Sequence, residues 1–162
     1  MAERTGGVYT GINETAIGWE RDGAIVSGAW FTSYNGRSIV VHMALDALVR
    51  QFIPVIFGYA FDQLGILRGL CFVDSTNGKA LRLNARLGWR VHTVIPDAGR
   101  DGDLVVMTID RAGYLDILNR YGTIQGSRYG WQIKHAGCAG LHEAGGQAGR
   151  VTDGALAAAD SR

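Results

Sequence analysis

The sequence has few cysteines, no long hydrophobic run and almost no net charge, and each absence excludes a class of protein. Its 162 residues include two cysteines, Cys71 and Cys138, whose spacing matches no metal-binding or redox motif. The most apolar stretch, residues 52–61, is interrupted by Pro54 and is far shorter than the roughly 20 residues that a membrane-spanning helix needs. The first seven residues contain no apolar segment of the signal-peptide kind. We therefore expect a cytoplasmic protein that holds no metal, with Cys71 as an ordinary buried thiol.

The charge balance limits the partners that the chain can have. A net charge of +1 gives no overall attraction to nucleic acid or to an anionic membrane, so any anion-binding site must be local. A hydrophobic content of 47% and a charged content of 19% are typical of a soluble globular protein. The length fits one domain with a single core.

The hydrophobic patterns predict an α+β fold in which helices pack on a mixed sheet. Three strands come first, separated by turns that contain Asp-Gly and Asn-Gly, at residues 16–19, 24–32 and 38–45. A helix over residues 53–64 follows, with Pro54 in its first turn and Gly65 at its end. The next strand, residues 66–73, is apolar enough to be covered on both faces. Because a strand–helix–strand unit places its strands side by side, strands 38–45 and 66–73 are predicted to be parallel neighbours.

After residue 76, two helices, two strands and a Gly/Ala-rich tail are predicted. A helix at 77–87, strands at 90–95 and 104–110, and a helix at about 111–121 complete a single domain of residues 1–134, whose core spans 16–110. Half of the last 28 residues are Gly or Ala, and such a segment buries too little surface to offset its ordering entropy. Residues 135–162 are therefore predicted to be a tail, ordered only by a partner or a neighbouring subunit.

One short helix has both of its ends marked in the sequence NGKALRLNARLGW, residues 77–89. Ser75, Thr76 or Asn77 can cap its start, and Gly88 stands where a left-handed residue closes a helix. Trp89 is placed to fold back on the last turn. The side chains predicted to face the core are Ala80, Leu83 and Leu87.

Three cations lie on another face of this helix, and no acidic residue is interleaved with them. At about 100° per residue, Lys79, Arg82 and Arg86 fall within some 60° of each other. They could form an ordinary solvated face. The helix start follows a buried strand, however, and together with the cations it would suit an anion that carries several phosphates.

The same residues carry a resemblance to a known family. Residues 73–89, VDSTNGKALRLNARLGW, resemble the second conserved block of the GCN5-related N-acetyltransferase (GNAT) superfamily, in which a strand leads to Asn, a short helix and Leu-Gly-aromatic. Residues 60–68, AFDQLGILR, are also typical, particularly of members that acetylate protein N-termini. The chain most resembles small acetyltransferase-like proteins of tailed phages. The resemblance covers residues 16–110 and is most specific at 73–89.

The resemblance implies an acyl-CoA N-acyltransferase-like fold and an acetyl-CoA-dependent activity on an amine. Its mostly antiparallel sheet would contain a central parallel pair of strands that splay apart, with flanking helices and with acetyl-CoA in the gap. The acceptor could be a protein N-terminus, a lysine or a small molecule. Residues implied to bind the cofactor are His42, Met43 and Ala44 through their backbone, Asn77 at the cofactor arm, and Lys79, Arg82 and Arg86 at the phosphates.

Two departures from the family pattern concern the phosphates and the proton donor. The family's phosphate loop, Gln/Arg-x-x-Gly-x-Gly/Ala, should fall within residues 45–52, but this chain reads LDALVRQF and has no glycine there. Amides at the following helix start, with Val49, Arg50 and Gln51, remain candidates for phosphate binding. The family's usual catalytic Tyr corresponds to Asn84, whose amide is no general acid, so the departing thiolate needs another proton donor or solvent.

The implied mechanism is direct attack of the amine on the thioester, which requires a base. His42 is the best candidate, because its ordinary pKa lies near neutrality. The rate of acetyl transfer is then expected to depend on a group that titrates between about pH 6 and 8. Tyr34 and Asp74 are weaker candidates, and Asp74 is more suited to accept backbone N–H groups. His92 is expected on the surface.

Three hypotheses about function remain open. The first is an N-acetyltransferase of an unidentified amine, and the second is an acetyltransferase fold kept for binding or structure, for instance in a phage particle. The third is a small RNA-binding protein that uses the basic helix, although a broad basic surface with interleaved aromatic residues is missing. A thermal shift with CoA distinguishes the CoA-binding hypotheses from the third.

Overall fold

The computed structural model describes residues 14–45 and 50–122, which form one six-stranded sheet and three helices. The strands are β1 Thr15–Arg21, β2 Ala24–Thr32, β3 Ser38–Leu45, β4 Arg68–Asp74, β5 Arg90–Ile95 and β6 Leu104–Asp110. The helices are α1 Phe52–Gly58, extended by a π-helical turn at Tyr59–Gln63, then α2 Gly78–Arg86 and α3 Arg111–Tyr121. The predicted order of elements is confirmed, whereas the predicted tail, residues 135–162, lies outside the described residues.

Strands β1, β2 and β3 form the predicted antiparallel meander. Asp22 and Gly23 both have positive φ, 52° and 77°, and make a two-residue turn between paired Arg21 and Ala24. The second connection is longer than a two-residue Asn-Gly turn, since residues 33–37 separate the strands. There the Asn35 side chain accepts hydrogen bonds from two backbone N–H groups that follow it.

The crossover from β3 to β4 has the predicted parallel arrangement, and the sheet order is β1-β2-β3-β4-β6-β5. Pro54 lies in the first turn of α1, where its missing N–H leaves no helical hydrogen bond unmade. Gly65 follows the π-helical turn with a φ of 66°, as a residue that ends a helix does. No helix within 14–45 and 50–122 is long and apolar enough to cross a membrane.

A single hydrophobic core lies on one face of the sheet. It combines alternate residues of the strands, such as Ile39, Cys71 and Met107, with residues of α1 and α3. The prediction that residues 66–73 are covered on both faces is wrong, because Phe72 on the opposite face is 45% exposed. An apolar run shows that a strand can be buried, but it does not show which neighbours cover each face.

Helix α3 is fixed to the end of α1 by a small polar and aromatic cluster. Arg111 forms an ion pair of 3.0 Å with Asp62 and donates to the carbonyl of Phe61 at 3.0 Å. The Tyr114 hydroxyl donates to the same carboxylate, and its ring stacks on Phe61 with centroids 5.2 Å apart. These contacts hold α3 over the core.

Candidate active site

The two central parallel strands separate after three residue pairs. Ser38, Ile39 and Val40 pair with Arg68, Gly69 and Leu70, and no further pairing joins the described residues of β3 and β4. Beyond these pairs β3 remains bonded to β2, and β4 remains bonded to β6. A gap in the sheet therefore lies between residues 41–45 of β3 and residues 71–74 of β4. The strand edges that face this gap are unpaired within the described residues. Backbone N–H and C=O groups on such an edge can bind a ligand as they would bind another strand.

His42 lies on the β3 side of this gap, on the face opposite the helices. Its Nε2 is 3.3 Å from the hydroxyl oxygen of Thr32, and its ring packs against that of Trp30, with centroids 4.7 Å apart and ring planes at 32°. Burial lowers the pKa of His42 below the ordinary 6.5, while the negative charge of buried Glu14 acts in the opposite direction. The imidazole is thus neutral at pH 7 and can accept a proton.

The neighbours of His42 on β3 differ in their surroundings. Met43 packs its side chain against the core, and Ala44 lies on the same face as His42, directly opposite Gly28 of β2. Their contribution to a ligand in the gap would therefore come from the backbone.

The start of α2 lies at the edge of the sheet where β4 ends. The Asn77 side chain accepts from the amide of Ala80 at 3.0 Å, so Asn77 is the cap among the three candidates that the sequence offered. At the other end Gly88 has a φ of 88°, and the amide of Trp89 donates to the carbonyl of Asn84 at 3.1 Å. This is the Schellman closure that the sequence predicts.

The basic face of α2 is exposed. Lys79, Arg82 and Arg86 make no ion pair with any other residue in the described ranges. The guanidinium of Arg82 folds back over the first turn, within 3.1 Å of the point where a Cβ on Gly78 would lie. The predicted core side of the helix is confirmed, since Leu87 is buried in the core and the half-buried side chains of Ala80 and Leu83 pack against it.

Asp74, at the end of β4, organises the loop beside α2 rather than acting as a base. Its carboxylate accepts from the amide of Asp101 at 2.8 Å, and from the amide and hydroxyl of Thr76 at 2.9 and 2.5 Å. These bonds, led by that from Asp101, lower the pKa of Asp74 to about 2. The interpretation of Asp74 as an acceptor of backbone N–H groups is confirmed.

Asn84, the residue that the sequence resemblance aligns with the family's tyrosine, has its side chain turned into the core. It is 5% exposed, and its Nδ2 donates to the sulfur of Cys71 at 3.4 Å. Burial raises the pKa of Cys71 to about 12, so the thiol stays protonated. The pair offers no acidic group to a departing thiolate.

The remaining predicted residues fall at the start of α1 and elsewhere on the sheet. Arg50 and Gln51 are exposed just before α1, with the Arg50 guanidinium 5.6 Å from the ring centre of Tyr121, whereas Val49 lies outside the described residues. Tyr34 donates its hydroxyl to the carbonyl of Leu64 at 3.0 Å, which fixes a loop. His92 is exposed on edge strand β5, away from the gap, as expected.

Neither a protein-family model nor a curated protein sequence matches the chain, but solved structures do. A mutant of the spermidine N-acetyltransferase SpeG from Vibrio cholerae gives a TM-score of 0.58 at 19% identity, over 64% of this chain and 69% of that chain. A dodecameric structure of spermidine N-acetyltransferase from the same species gives 0.56 at 19% identity, over 64% and 68%. The N-acetyltransferase PseH from Campylobacter jejuni, in complex with acetyl coenzyme A, gives 0.50 at 18% identity, over 61% and 69%.

The chain has the fold of these N-acetyltransferases. The prediction of a mixed, mostly antiparallel sheet with a splayed parallel pair and flanking helices is thereby confirmed. At these identities the likeness establishes the GNAT fold and not the reaction. Within the described residues no group of three or more His, Cys, Asp and Glu side chains could hold a metal ion.

Four residues around the gap were not singled out by the sequence analysis. Thr32, Trp30 and Glu14 surround His42, and Phe72 is exposed on β4. The hairpin pattern predicts that β2 and β3 lie side by side, but it does not give their register. Counting outward from Thr32 and Ser38 would pair Trp30 with Val40, whereas the structure pairs Trp30 with His42 and places Thr32 diagonally beside it.

Proposed function

We propose that this chain transfers the acetyl group of acetyl-CoA to a primary amine. The observation that carries the proposal is the separation of β3 and β4 after three pairs, which leaves an unpaired strand edge at residues 42–44 beside a neutral histidine. The acetyltransferase fold of the structural neighbours supports it, and one of them is described as a complex with acetyl coenzyme A.

The residues around the gap are suited to hold acetyl-CoA. The edge at His42, Met43 and Ala44 would bond to the amide groups of the pantetheine, as a neighbouring strand would. Asn77 uses its oxygen for the helix cap, so its Nδ2 remains to donate to the cofactor arm. The exposed cations of α2 would neutralise the phosphates, with Arg50, Gln51 and Val49 as additional candidates at the start of α1.

The reaction needs one base and one source of a proton. The amine nitrogen attacks the thioester carbonyl carbon, so that an N–C bond forms and the C–S bond breaks. His42 would take the proton that the attacking amine loses, directly or through the hydroxyl of Thr32. The sulfur leaves as a thiolate and takes a proton from solvent, because Asn84 carries no acidic group.

The acceptor class and the setting extend this proposal. Spermidine is the substrate named for the Vibrio cholerae enzyme, which supports an amine acceptor in general. We place the activity in the cytoplasm, in a domain of residues 1–134, and we assign residues 135–162 to assembly or to a partner. The sequence likeness to phage proteins would place the chain in infected cells or in the phage particle.

A second candidate function keeps the fold without the reaction. The burial of Asn84 against Cys71 favours it, since the position that supplies an acid in the family has become part of the core. In that case acetyl-CoA binds, but no amine yields an acetylated product. Product formation with a panel of amines decides between the two functions.

The experiment that tests cofactor binding is a calorimetric titration with acetyl-CoA. Replacing Lys79 and Arg86 together by Glu should weaken binding by about 1–3 kcal/mol, the scale of charge-assisted hydrogen bonds. The matched control is Arg21→Glu with Arg37→Glu, which changes the net charge equally at exposed positions on other elements. An equal loss in both double variants, or no binding by the original chain, would contradict the proposal.

A further inference from the structure

Phe72 is an aromatic side chain on the surface of the sheet. It is 45% exposed, and of the large hydrophobic side chains that are exposed in the described ranges it is the only aromatic one. Its neighbours along β4, Cys71 and Val73, point to the opposite face and are buried in the core. The ring is therefore not needed to complete that core.

The strand register places Phe72 across the gap from His42. Val40 and Leu70 are the last paired residues of β3 and β4, and as partners they share a face of the sheet. Two residues further along each strand, on that same face, are His42 and Phe72. Because the strands separate between these points, the imidazole and the phenyl ring stand on the two sides of the gap.

Within the described residues, no helix packs on this face of the gap. Helices α1 and α3 pack on the other face, where they join the core. The acceptor amine would thus approach acetyl-CoA, held between the strands, from the face that carries His42 and Phe72. The two half-buried aliphatic side chains of Val40 and Leu70 form the closed end of the gap on that face.

Two carboxylates lie near this side of the gap, but both are engaged in hydrogen bonds within the protein. Trp30 packs against the ring of His42, and the Glu14 carboxylate accepts from the indole N–H of Trp30 at 3.2 Å. Asp74 shares the face of Phe72, but its carboxylate is already bonded to Thr76 and Asp101. A polyamine needs several carboxylates to neutralise its charges. An exposed aromatic ring instead binds an apolar group favourably, because the contact removes apolar surface from water.

We propose that Phe72 binds the apolar group of the acceptor, so that the chain selects primary amines with an aromatic or large aliphatic substituent over polycations. The inference rests on the proposed acetyl transfer. It identifies Phe72 as a specificity residue, which acts on the affinity for the acceptor and not on the proton transfers.

The test compares acetyl transfer to 2-phenylethylamine, ethylamine and spermidine. We expect 2-phenylethylamine to have the highest kcat/KM of the three. Phe72→Ala should raise the KM for 2-phenylethylamine on the order of 10-fold, with kcat and the kinetics of ethylamine little changed. Phe72→Tyr keeps the ring and should restore the KM. The control Val91→Ala removes a 58% exposed side chain from the distant edge strand β5 and should leave the kinetics of both monoamines unchanged.

The outcomes separate this inference from the proposed function. Transfer to spermidine with the higher kcat/KM, or equal effects of Phe72→Ala on both monoamines, would overturn the role of Phe72 while acetyl transfer stands. The absence of product from every amine would overturn the proposed function, and the inference would fall with it. Thermal melts of the variants confirm that each is folded.

Discussion

The chemistry of His42 depends on residues that come from other parts of the chain. Thr32 and Trp30 lie on the neighbouring strand, and Glu14 is bonded to Trp30. The sequence identifies the histidine as a base by its residue type. It does not give the direction of the pKa shift, because that direction depends on burial and on a charge 28 residues away in the chain.

The pH dependence of acetyl transfer follows from this environment. Burial lowers the pKa of His42 below 6.5, so the imidazole becomes protonated only below that pH. The loss of kcat/KM on the acid side, the acid limb of the pH profile, should therefore lie below pH 6.5. This is more acidic than the limb between about pH 6 and 8 that the residue type alone suggests. His42→Gln should remove the limb and reduce the rate roughly 10²- to 10⁴-fold.

Glu14→Gln provides the matched variant for the same measurement. Its amide oxygen can still accept the indole N–H of Trp30, but it loses the negative charge that raises the pKa of His42. We therefore expect the acid limb to move to lower pH than in the original chain. A limb that stays in place in both variants would show that another group is the base.

At the scale of elements, α2 shows which features of a helix can be predicted from its own sequence. Asn77 and Gly88 define its ends by backbone chemistry, and both predictions are confirmed by hydrogen bonds. The burial of Asn84 in this helix is not predicted, because a polar residue is not expected there. Its partner, the Cys71 thiol, is 13 residues away on another element.

Replacing Gly88 tests the closure of α2. Gly88→Ala forces a side chain into a φ of 88° and should lower the free energy of unfolding by about 1 kcal/mol or more. Gly88→Asn should be milder, since Asn tolerates the left-handed region better. The measurement is the urea midpoint of each variant. An alanine variant as stable as the original chain would contradict the Schellman closure.

Other features of the elements have no local signal. The sequence predicts one helix over residues 53–64, whereas the structure ends α1 at Gly58 and continues with a π-helical turn. The Asp62 in this turn bonds to Arg111 and Tyr114, about fifty residues further on. These contacts are tertiary, and no local pattern of hydrophobic residues specifies them.

At the scale of the whole molecule, the sheet has one face filled by a core and another that is only partly covered. The order of elements and the parallel pair follow from periodicity and from the handedness of crossovers. The position of the gap does not, because no local pattern in the two sequences marks where the pairing of β3 with β4 stops after three residues. That gap is the feature on which the proposed function depends.

The last prediction concerns the limits of the folded domain. Truncation after Lys134 should leave the melting temperature within a few degrees, since residues 135–162 contain only Leu141, Val151 and Leu156 as large aliphatic side chains. Truncation after Asp110 is the contrasting variant. It removes α3 and with it Tyr114 and Ile117, which are both buried in the core.

The shorter chain should lose cooperative unfolding, because deleting large buried side chains costs about 2–5 kcal/mol each and the whole domain has only about 5–15. Circular dichroism melts of the three proteins give the comparison. If removal of residues 135–162 were as damaging as removal of α3, those residues would belong to the folded unit, and the domain would extend beyond residue 134.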